Sequence, residues 1–280
     1  QSRGYTDALI DELLERRLAL SDEGRSARIE KRHASGGRSA RENLEDLLDE
    51  GSFSELGGHV LAAQHGTHTN EQLIDRSAAD GVIVGTGAID GLPVAVLIVD
   101  YTVMAGTQGH FHHRKVDRIL EIARRRKLPL IMYPEGGGGR PNDTDAHLIS
   151  VAQLEVNSFH HLAALRGVVP VVAVVHGYCF AGSAAFAAVA DVIIGTEKAC
   201  LGMGGPAMIE GGGLGKFRPE EVGPASVHAK TGAFDVVVKD EAAATALAKR
   251  VMHVLKHDKS EPVERLTDLT PLLPGDRRGV

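Results

Sequence analysis

Two apolar runs, each ending in a glycine-rich turn, constrain this chain more than any other feature. Leu128-Pro-Leu-Ile-Met132 leads into Tyr133-Pro-Glu-Gly-Gly-Gly-Gly-Arg140, and Val168-Val-Pro-Val-Val-Ala-Val-Val175 leads through His176 into Gly177-Tyr-Cys-Phe-Ala-Gly-Ser-Ala-Ala185. Each run is short, rich in β-branched residues and bounded by glycine, the pattern of a buried strand in a parallel sheet. Glycine admits positive φ and close backbone approach, so such a turn can aim bare N–H groups at a ligand oxygen. Ligands of open α/β sheets sit at the carboxyl ends of strands, where both turns fall. A helix after each turn adds the positive end of its dipole. The two turns therefore read as one oxyanion-binding site, able to hold an enolate or tetrahedral oxygen. Loss of one such donor costs roughly 3 kcal/mol in a protease. Four consecutive glycines exceed what a tight turn alone requires.

The rest of the chain reads as a scaffold for that site. Residues 7–33 predict one helix, with Leu9, Ile10, Leu13, Leu14 and Leu18 recurring at helical spacing and a basic end at Arg28–Arg32, stopped by Ser35-Gly36-Gly37. Ser39 with Glu42 predicts a capping box and a second helix. His59–His68 reads as loop. Residues 82–99 predict two strands joined at Asp90-Gly91, a strong hairpin signal. A polar loop, Tyr101–His110, precedes a helix over 112–126 with Val116, Ile119, Leu120 and Ala123 inward. Further helices are predicted over 146–166, 183–190 and 241–255, and a strand over 192–196. A third glycine block, Gly202–Gly215, interrupts the pattern. Repeated β-α units of this kind make an α/β fold with right-handed crossovers.

Composition narrows the functions. A net charge of -6 without a long basic run argues against nucleic acid. No apolar run is long enough for a bilayer, and Cys179 and Cys200 lack disulfide or metal spacing, so a reducing cytoplasm is expected. Gly211-Gly-Gly-Leu-Gly-Lys-Phe217 is not a phosphate loop: Glu210 stands where the first glycine belongs, and Phe217 where Ser or Thr must bind magnesium. No dinucleotide fingerprint follows a strand. His110, His112, His113 and His160-His161 are read as surface or loop residues, with no metal expected. Ser183 is read as a helix cap rather than a nucleophile. Glu135 and Asp143 can do acid/base work, but ion pairing with Arg140 or solvation is the simpler reading.

These motifs resemble the β-type carboxyltransferase of biotin-dependent acyl-CoA carboxylases, the propionyl-/acetyl-CoA carboxylase kind, within the crotonase superfamily. The likeness rests on Arg28-Ile-Glu-Lys-Arg-His-Ala34, Gly37-Arg-Ser-Ala-Arg-Glu42, Leu47-Leu-Asp-Glu-Gly-Ser-Phe53, Gly85-Thr-Gly-Ala-Ile-Asp-Gly-Leu-Pro-Val-Ala95, Asp100-Tyr-Thr-Val-Met-Ala-Gly-Thr-Gln-Gly109, His113-Arg-Lys-Val116, both glycine turns and Gly205-Pro206. It implies a crotonase-like (ClpP/crotonase) α/β fold of repeated ββα units with a helical N-terminal extension over 1–50. The acyl-CoA-binding domain would span 51–257. Residues 258–280 would be a linker toward a second domain, homologous to the first, that is absent from this chain.

The resemblance also implies roles. Gly137, Gly138 and Gly139 from the first turn, with Ala181 and Gly182 from the second, would form the oxyanion hole for an acyl-CoA thioester. Arg38, Arg41, Arg114 and Lys115 would meet the CoA phosphates and adenine end. Carboxybiotin on a partner protein would supply CO2 and take the α-proton, so no protein base is needed. The implied partners are a carboxyltransferase C-terminal half, a biotin carboxyl carrier and a biotin carboxylase, in a homo- or hetero-oligomer. Two departures stand out: the family's Asp-Ser-Gly-Gly-Ala-Arg is Glu135-Gly-Gly-Gly-Gly-Arg140, and its Cys-Ala-Gly-Gly-Ala is Cys179-Phe-Ala-Gly-Ser183. Two other expectations stay open: a biotin-independent acyl-CoA decarboxylase or hydratase, and a non-catalytic CoA-binding structural subunit.

Overall fold

The computed structural model describes residues 2–145 and 156–256. Its centre is a seven-stranded sheet ordered β1 (Ser54–Leu56), β2 (Val82–Ile89), β3 (Leu92–Val99), β4 (Leu130–Tyr133), β5 (Val171–Val175), β7 (Val192–Thr196) and β9 (Val236–Val238). The β1-β2 and β2-β3 pairs are antiparallel and the remaining pairs parallel. The β2-β3 hairpin turns at Asp90 (φ 47°) and Gly91 (φ 74°), as its sequence predicted. The Asp49 carboxylate accepts both turn N–H groups at 2.8 Å. Two short strands, β6 (Tyr178–Phe180) and β8 (Cys200–Gly202), pair in a separate parallel sheet. Strand, short strand and helix thus recur as a unit.

Alternation along the strands makes two cores. One face, with Val84, Leu97, Leu130, Met132, Val171 and Ala173, packs under α5 (His110–Arg126), α6 (Ser158–Ala163) and α7 (Gly182–Val189). The other, with Ile83, Ile98, Ile131, Val172 and Val174, packs under α3 (Ala40–Leu47) and α10 (Glu241–Lys256). Both faces are covered, which is why the central strands read as continuous apolar runs.

Several expectations are corrected. The helix expected over 7–33 is broken into α1 (Ser2–Ala19), a 3-10 turn over Glu23–Arg25 and α2 (Ser26–Ala34). The break has a local cause. Gly24 lies so close to the preceding helix end that a Cβ would stand 2.1 Å from the Leu18 carbonyl oxygen, and the Ser21 hydroxyl donates to that carbonyl at 2.7 Å. Arg25 then turns inward to Asp100 at 2.9 Å. The apolar residues of α1 that recur at helical spacing (Leu9, Ile10, Leu13, Leu14 and Leu18) are each about half exposed. By contrast α3 belongs to the core, so residues 1–50 comprise an outlying helix and a packed segment. The capping box at Ser39 and Glu42 forms as predicted. A second one, Thr69 with Gln72, starts an unpredicted helix, α4 (Asn70–Arg76). Strands β4 and β5 begin later than expected, after Pro129 and Pro170, which lack an N–H for the ladder. Of the helix expected over 146–166, residues 146–155 lie outside the described residues, and the remainder yields α6. The third glycine block holds α8 (Pro206–Gly211), with α9 (Ala225–Thr231) beyond it.

The two classes of leucine separate in a stability test. Leu97→Ala should cost about 2–5 kcal/mol, because it opens a cavity in a fully covered strand. Leu13→Ala should stay within about 0.5 kcal/mol in the isolated chain. Urea unfolding of both variants checks this; a Leu13→Ala loss as large as that of Leu97→Ala would contradict the exposure of α1.

Candidate active site

Strands β4 and β5 are parallel neighbours, so the turns after them emerge at one end of the sheet. The N–H of Gly136 donates to the Tyr178 carbonyl at 2.6 Å, and the N–H of Phe180 returns to the Gly136 carbonyl at 2.8 Å. On its other side the first turn is held by Gln108, whose N–H donates to the Gly138 carbonyl at 2.8 Å and whose carbonyl accepts from the Arg140 N–H at 2.9 Å. Between these fixed points the N–H groups of Gly137, Gly138 and Gly139 have no acceptor among the described residues. Gly182 is the first residue of α7, so its N–H has no acceptor within the helix. The turns converge closely. A Cβ on Gly138 would lie 2.8 Å from the Ala181 Cβ and 2.9 Å from the Gly182 nitrogen, and Gly138 has φ +88°. Gly138 and Gly182 are therefore adjacent, whereas the N–H of Ala181, expected to contribute from the second turn, is taken by the Gly202 carbonyl at 3.0 Å.

Ala181, just before α7, has φ 50° and ψ -119°. This region suits glycine, and a side chain there stores strain of order 1–3 kcal/mol. Beside it, Phe180 is buried and stacks on Tyr178, with ring centroids 6.1 Å apart.

The charges behind the turns differ from the sequence reading. Glu135 is buried and pairs with Arg32 of α2, not with Arg140: the guanidinium donates to both carboxylate oxygens, at 2.9 and 3.0 Å. Arg140 binds Asp80, and donates from Nε to Asp143 at 2.7 Å. Ser183 does not cap α7; its buried hydroxyl donates to the Glu135 carbonyl at 3.1 Å. His176, fully enclosed, lies 3.4 Å from Glu241 and 3.8 Å from Glu135. Burial alone would lower its pKa, but the Glu135 and Glu241 carboxylates outweigh burial and raise it. Burial pushes Glu241 up, yet His176, Asn43 and the Arg38 N–H bring it down to about 2. Sequence spacing could not reveal this cluster, because its members are more than 200 residues apart at the extremes.

The four basic residues lie in different settings. Arg114 is exposed in the second turn of α5. Arg38 pairs with Asp46 at 2.7 Å and Arg41 with Glu55 at 3.2 Å. Lys115 is buried, and its ammonium donates to the carbonyls of Ala79 (2.7 Å) and Val82. Burial brings its pKa down to about 8. The histidines of α5 are corrected too. His112 is wholly buried and held well below the usual histidine range by burial. His113 is brought to about 4 by burial, with Nδ1 2.9 Å from the Ser158 hydroxyl. Among the described residues no group of three or more His, Cys, Asp or Glu side chains can hold a metal, and no helix is long and apolar enough to cross a membrane.

A mostly parallel α/β sheet with two converging glycine turns at its carboxyl edge is the architecture of a crotonase-like fold. Residues 31–277 match the carboxyl transferase domain family, and the chain belongs to that family. It is 32% identical over 255 residues to the 12S subunit of methylmalonyl-CoA carboxyltransferase from Propionibacterium freudenreichii subsp. shermanii, covering 90% of this chain and 47% of the relative. It is 29% identical over 254 residues to the propionyl-CoA carboxylase beta chain of Saccharopolyspora erythraea, covering 90% and 44%. Among solved structures, a single-chain, multi-domain long-chain acyl-CoA carboxylase superposes with a TM-score of 0.82 at 48% identity, over 88% of this chain and 25% of that one. The transcarboxylase 12S structure with methylmalonyl-CoA bound gives a TM-score of 0.74 at 31% identity, over 88% and 47%. The chain spans about half the length of the curated relatives it matches.

Two measurements probe the site's physics. Ala181→Gly should raise stability by about 1 kcal/mol, against the usual cost of alanine-to-glycine changes, because it relieves a positive φ; urea unfolding reads the sign. The second concerns His176, whose pKa is raised above the ordinary 6.5. Its contribution is full below pH 6.5 and fades as pH rises through the raised value. The stability gap between the parent and His176→Gln should therefore close on the alkaline side. A gap independent of pH would show that the imidazole is not charged in the fold.

Proposed function

We propose that this chain is the acyl-CoA-binding half of a biotin-dependent acyl-CoA carboxyltransferase. One observation carries the reading: the Gly137–Gly139 turn, whose N–H groups have no acceptor among the described residues, packs at Gly138 against Ala181 and the Gly182 nitrogen, where α7 begins. A thioester oxygen bound there gains negative charge as its α-carbon loses a proton, so the donors strengthen in the transition state. Gly137, Gly138 and Gly139 would form one side of the hole and the Gly182 N–H the other, with Ala181 packed beside Gly138 and its own N–H held by the Gly202 carbonyl. Membership of the carboxyl transferase family and the methylmalonyl-CoA bound by the transcarboxylase 12S neighbour support this assignment.

The chain's own acid/base groups fit a reaction whose proton acceptor arrives from outside. Glu135 and Asp143, the carboxylates that flank the first turn, are both held in ion pairs with arginines. Carboxybiotin on a partner protein would supply CO2 and accept the α-proton. What this chain does is hold the thioester, orient its α-carbon and stabilise the enolate. We assign the CoA phosphates to Arg114, which has no ion pair among the described residues, with Arg38 and Arg41 available if Asp46 and Glu55 yield to phosphate. Lys115 acts from behind, fixing the backbone at Ala79 and Val82. Residues 1–50 would be the N-terminal extension, 51–257 the CoA domain, and 258–280 a lead toward a second domain that supplies the biotin side. Biotin carboxylase and biotin carboxyl carrier would complete an oligomeric enzyme, in the cytoplasm.

Calorimetric titration with acetyl-, propionyl- and malonyl-CoA tests the site. The parent chain should bind at least one of them, and Gly138→Ala should weaken it about tenfold or more, since its Cβ would fill the hole. Arg114→Glu should weaken all three alike. No binding of any acyl-CoA would overturn the proposal and favour a structural subunit.

A further inference from the structure

The two glycine turns share a buried root. Glu135 is the last residue before the first glycine block, and His176 the last before Gly177 opens the second. Both side chains enter one cluster with Arg32 and Glu241. Besides its two bonds to Glu135, Arg32 places Nη2 3.9 Å from Glu241 Oε1 and 3.3 Å from His176 Nδ1. Glu241 also accepts from Asn43 Nδ2 at 2.6 Å and from the Arg38 N–H at 3.0 Å. The Tyr101 ring flanks the Arg32 guanidinium, with its centroid 5.6 Å from Cζ. Contact between the turns is direct: a Cβ on Gly177 would lie 2.1 Å from Glu135 Oε1. The backbone of the second turn is thus packed on the carboxylate that roots the first.

We infer that this cluster is a positioning device, with Arg32 as its shared cation, that sets the distance between the Gly138 and Gly182 N–H groups. The inference rests on the proposed thioester site. None of the four side chains is required to touch the ligand. Stability alone does not account for the cluster, because buried ion pairs are often matched or bettered by apolar packing of equal volume. What an apolar cluster cannot supply is direction. Bidentate Arg32–Glu135 geometry fixes the carboxylate in plane, and with it the backbone where the glycines begin. Precision matters there, since a misplacement of about 1 Å can cost about a hundredfold in rate. The helical N-terminal segment is therefore part of the site.

The test compares propionyl-CoA with S-propyl-CoA, a thioether of the same length that lacks the carbonyl oxygen. Phosphate, adenine and alkyl contacts are common to both, so the ratio of their calorimetric dissociation constants reads the oxyanion donors alone. In the full parent chain the thioester should bind about tenfold more tightly, the value of two net hydrogen bonds. In Arg32→Met and in Glu135→Gln the ratio should fall to about one, while S-propyl-CoA affinity stays within about twofold. Arg32→Lys keeps the charge without the fork and should retain part of the ratio. A ratio unchanged in the folded variants overturns the positioning role and leaves the thioester site standing. A ratio of one in the parent overturns the thioester site, and the positioning role with it. If Arg32→Met unfolds, Glu135→Gln decides; if both unfold, the cluster is a stability element and the positioning role fails.

Discussion

The ion pair of Arg32 with Glu135 joins parts of the chain that the sheet alone leaves unconnected. Its carboxylate hangs from the end of β4, its guanidinium from α2, and the neighbouring His176 and Glu241 bring in the end of β5 and the start of α10. Glu135, His176 and Glu241 are buried and Arg32 is partly buried, so each charge would be costly without the others. Removing one partner of such a pair leaves an uncompensated charge, at roughly 3–5 kcal/mol. The cluster is therefore satisfied only when α2, both turns and α10 are all in place. That all-or-none character converts four loosely related segments into one frame around the glycines.

The proposed site is made of backbone, and such a site can accommodate departures from the family pattern. Glu135-Gly-Gly-Gly-Gly-Arg140 and Cys179-Phe-Ala-Gly-Ser183 replace several side chains of the usual motifs. In the proposed hole the donors are peptide N–H groups, whose direction depends on φ and ψ. Ala181 shows the limit of this freedom. It keeps a conformation that glycine would hold without strain, so the turn is imposed by its surroundings: the Gly202 carbonyl that accepts its N–H at 3.0 Å, and α7 beginning one residue on.

Local grammar was legible in the sequence; long-range electrostatics was not. Turn chemistry at Asp90-Gly91, the capping box at Ser39 and the two strand-then-glycine units are short-range signals, and each appears in the fold. The convergence of the two turns was also legible, because parallel neighbouring strands must present the same end. Two readings failed for the same reason. Helical spacing in 7–33 says which residues share a face, but not whether anything covers it, and in α1 nothing among the described residues buries those leucines. The histidines of α5 looked like surface residues beside arginines, yet His112 lies on the inner face at i-4 from Val116. The partner of Glu135 was invisible because Arg140 is five residues away and Arg32 more than a hundred. The capping box Thr69-x-x-Gln72 was a signal present but unused.

Backbone donors and buried carboxylates together argue for a divided chemistry. An oxyanion hole lowers the energy of an enolate but cannot remove the proton that makes it. A base at the turns would need a free carboxylate or imidazole. Here Glu135 lies locked under Arg32, Asp143 under Arg140, and His176 is enclosed between two carboxylates that raise its pKa. The same pairing that fixes the frame therefore removes its members from acid/base duty. In the proposed reaction, positional accuracy and proton transfer are demands on the same few residues, and the fold resolves the conflict by keeping the first for itself and leaving the second to what docks against the glycines.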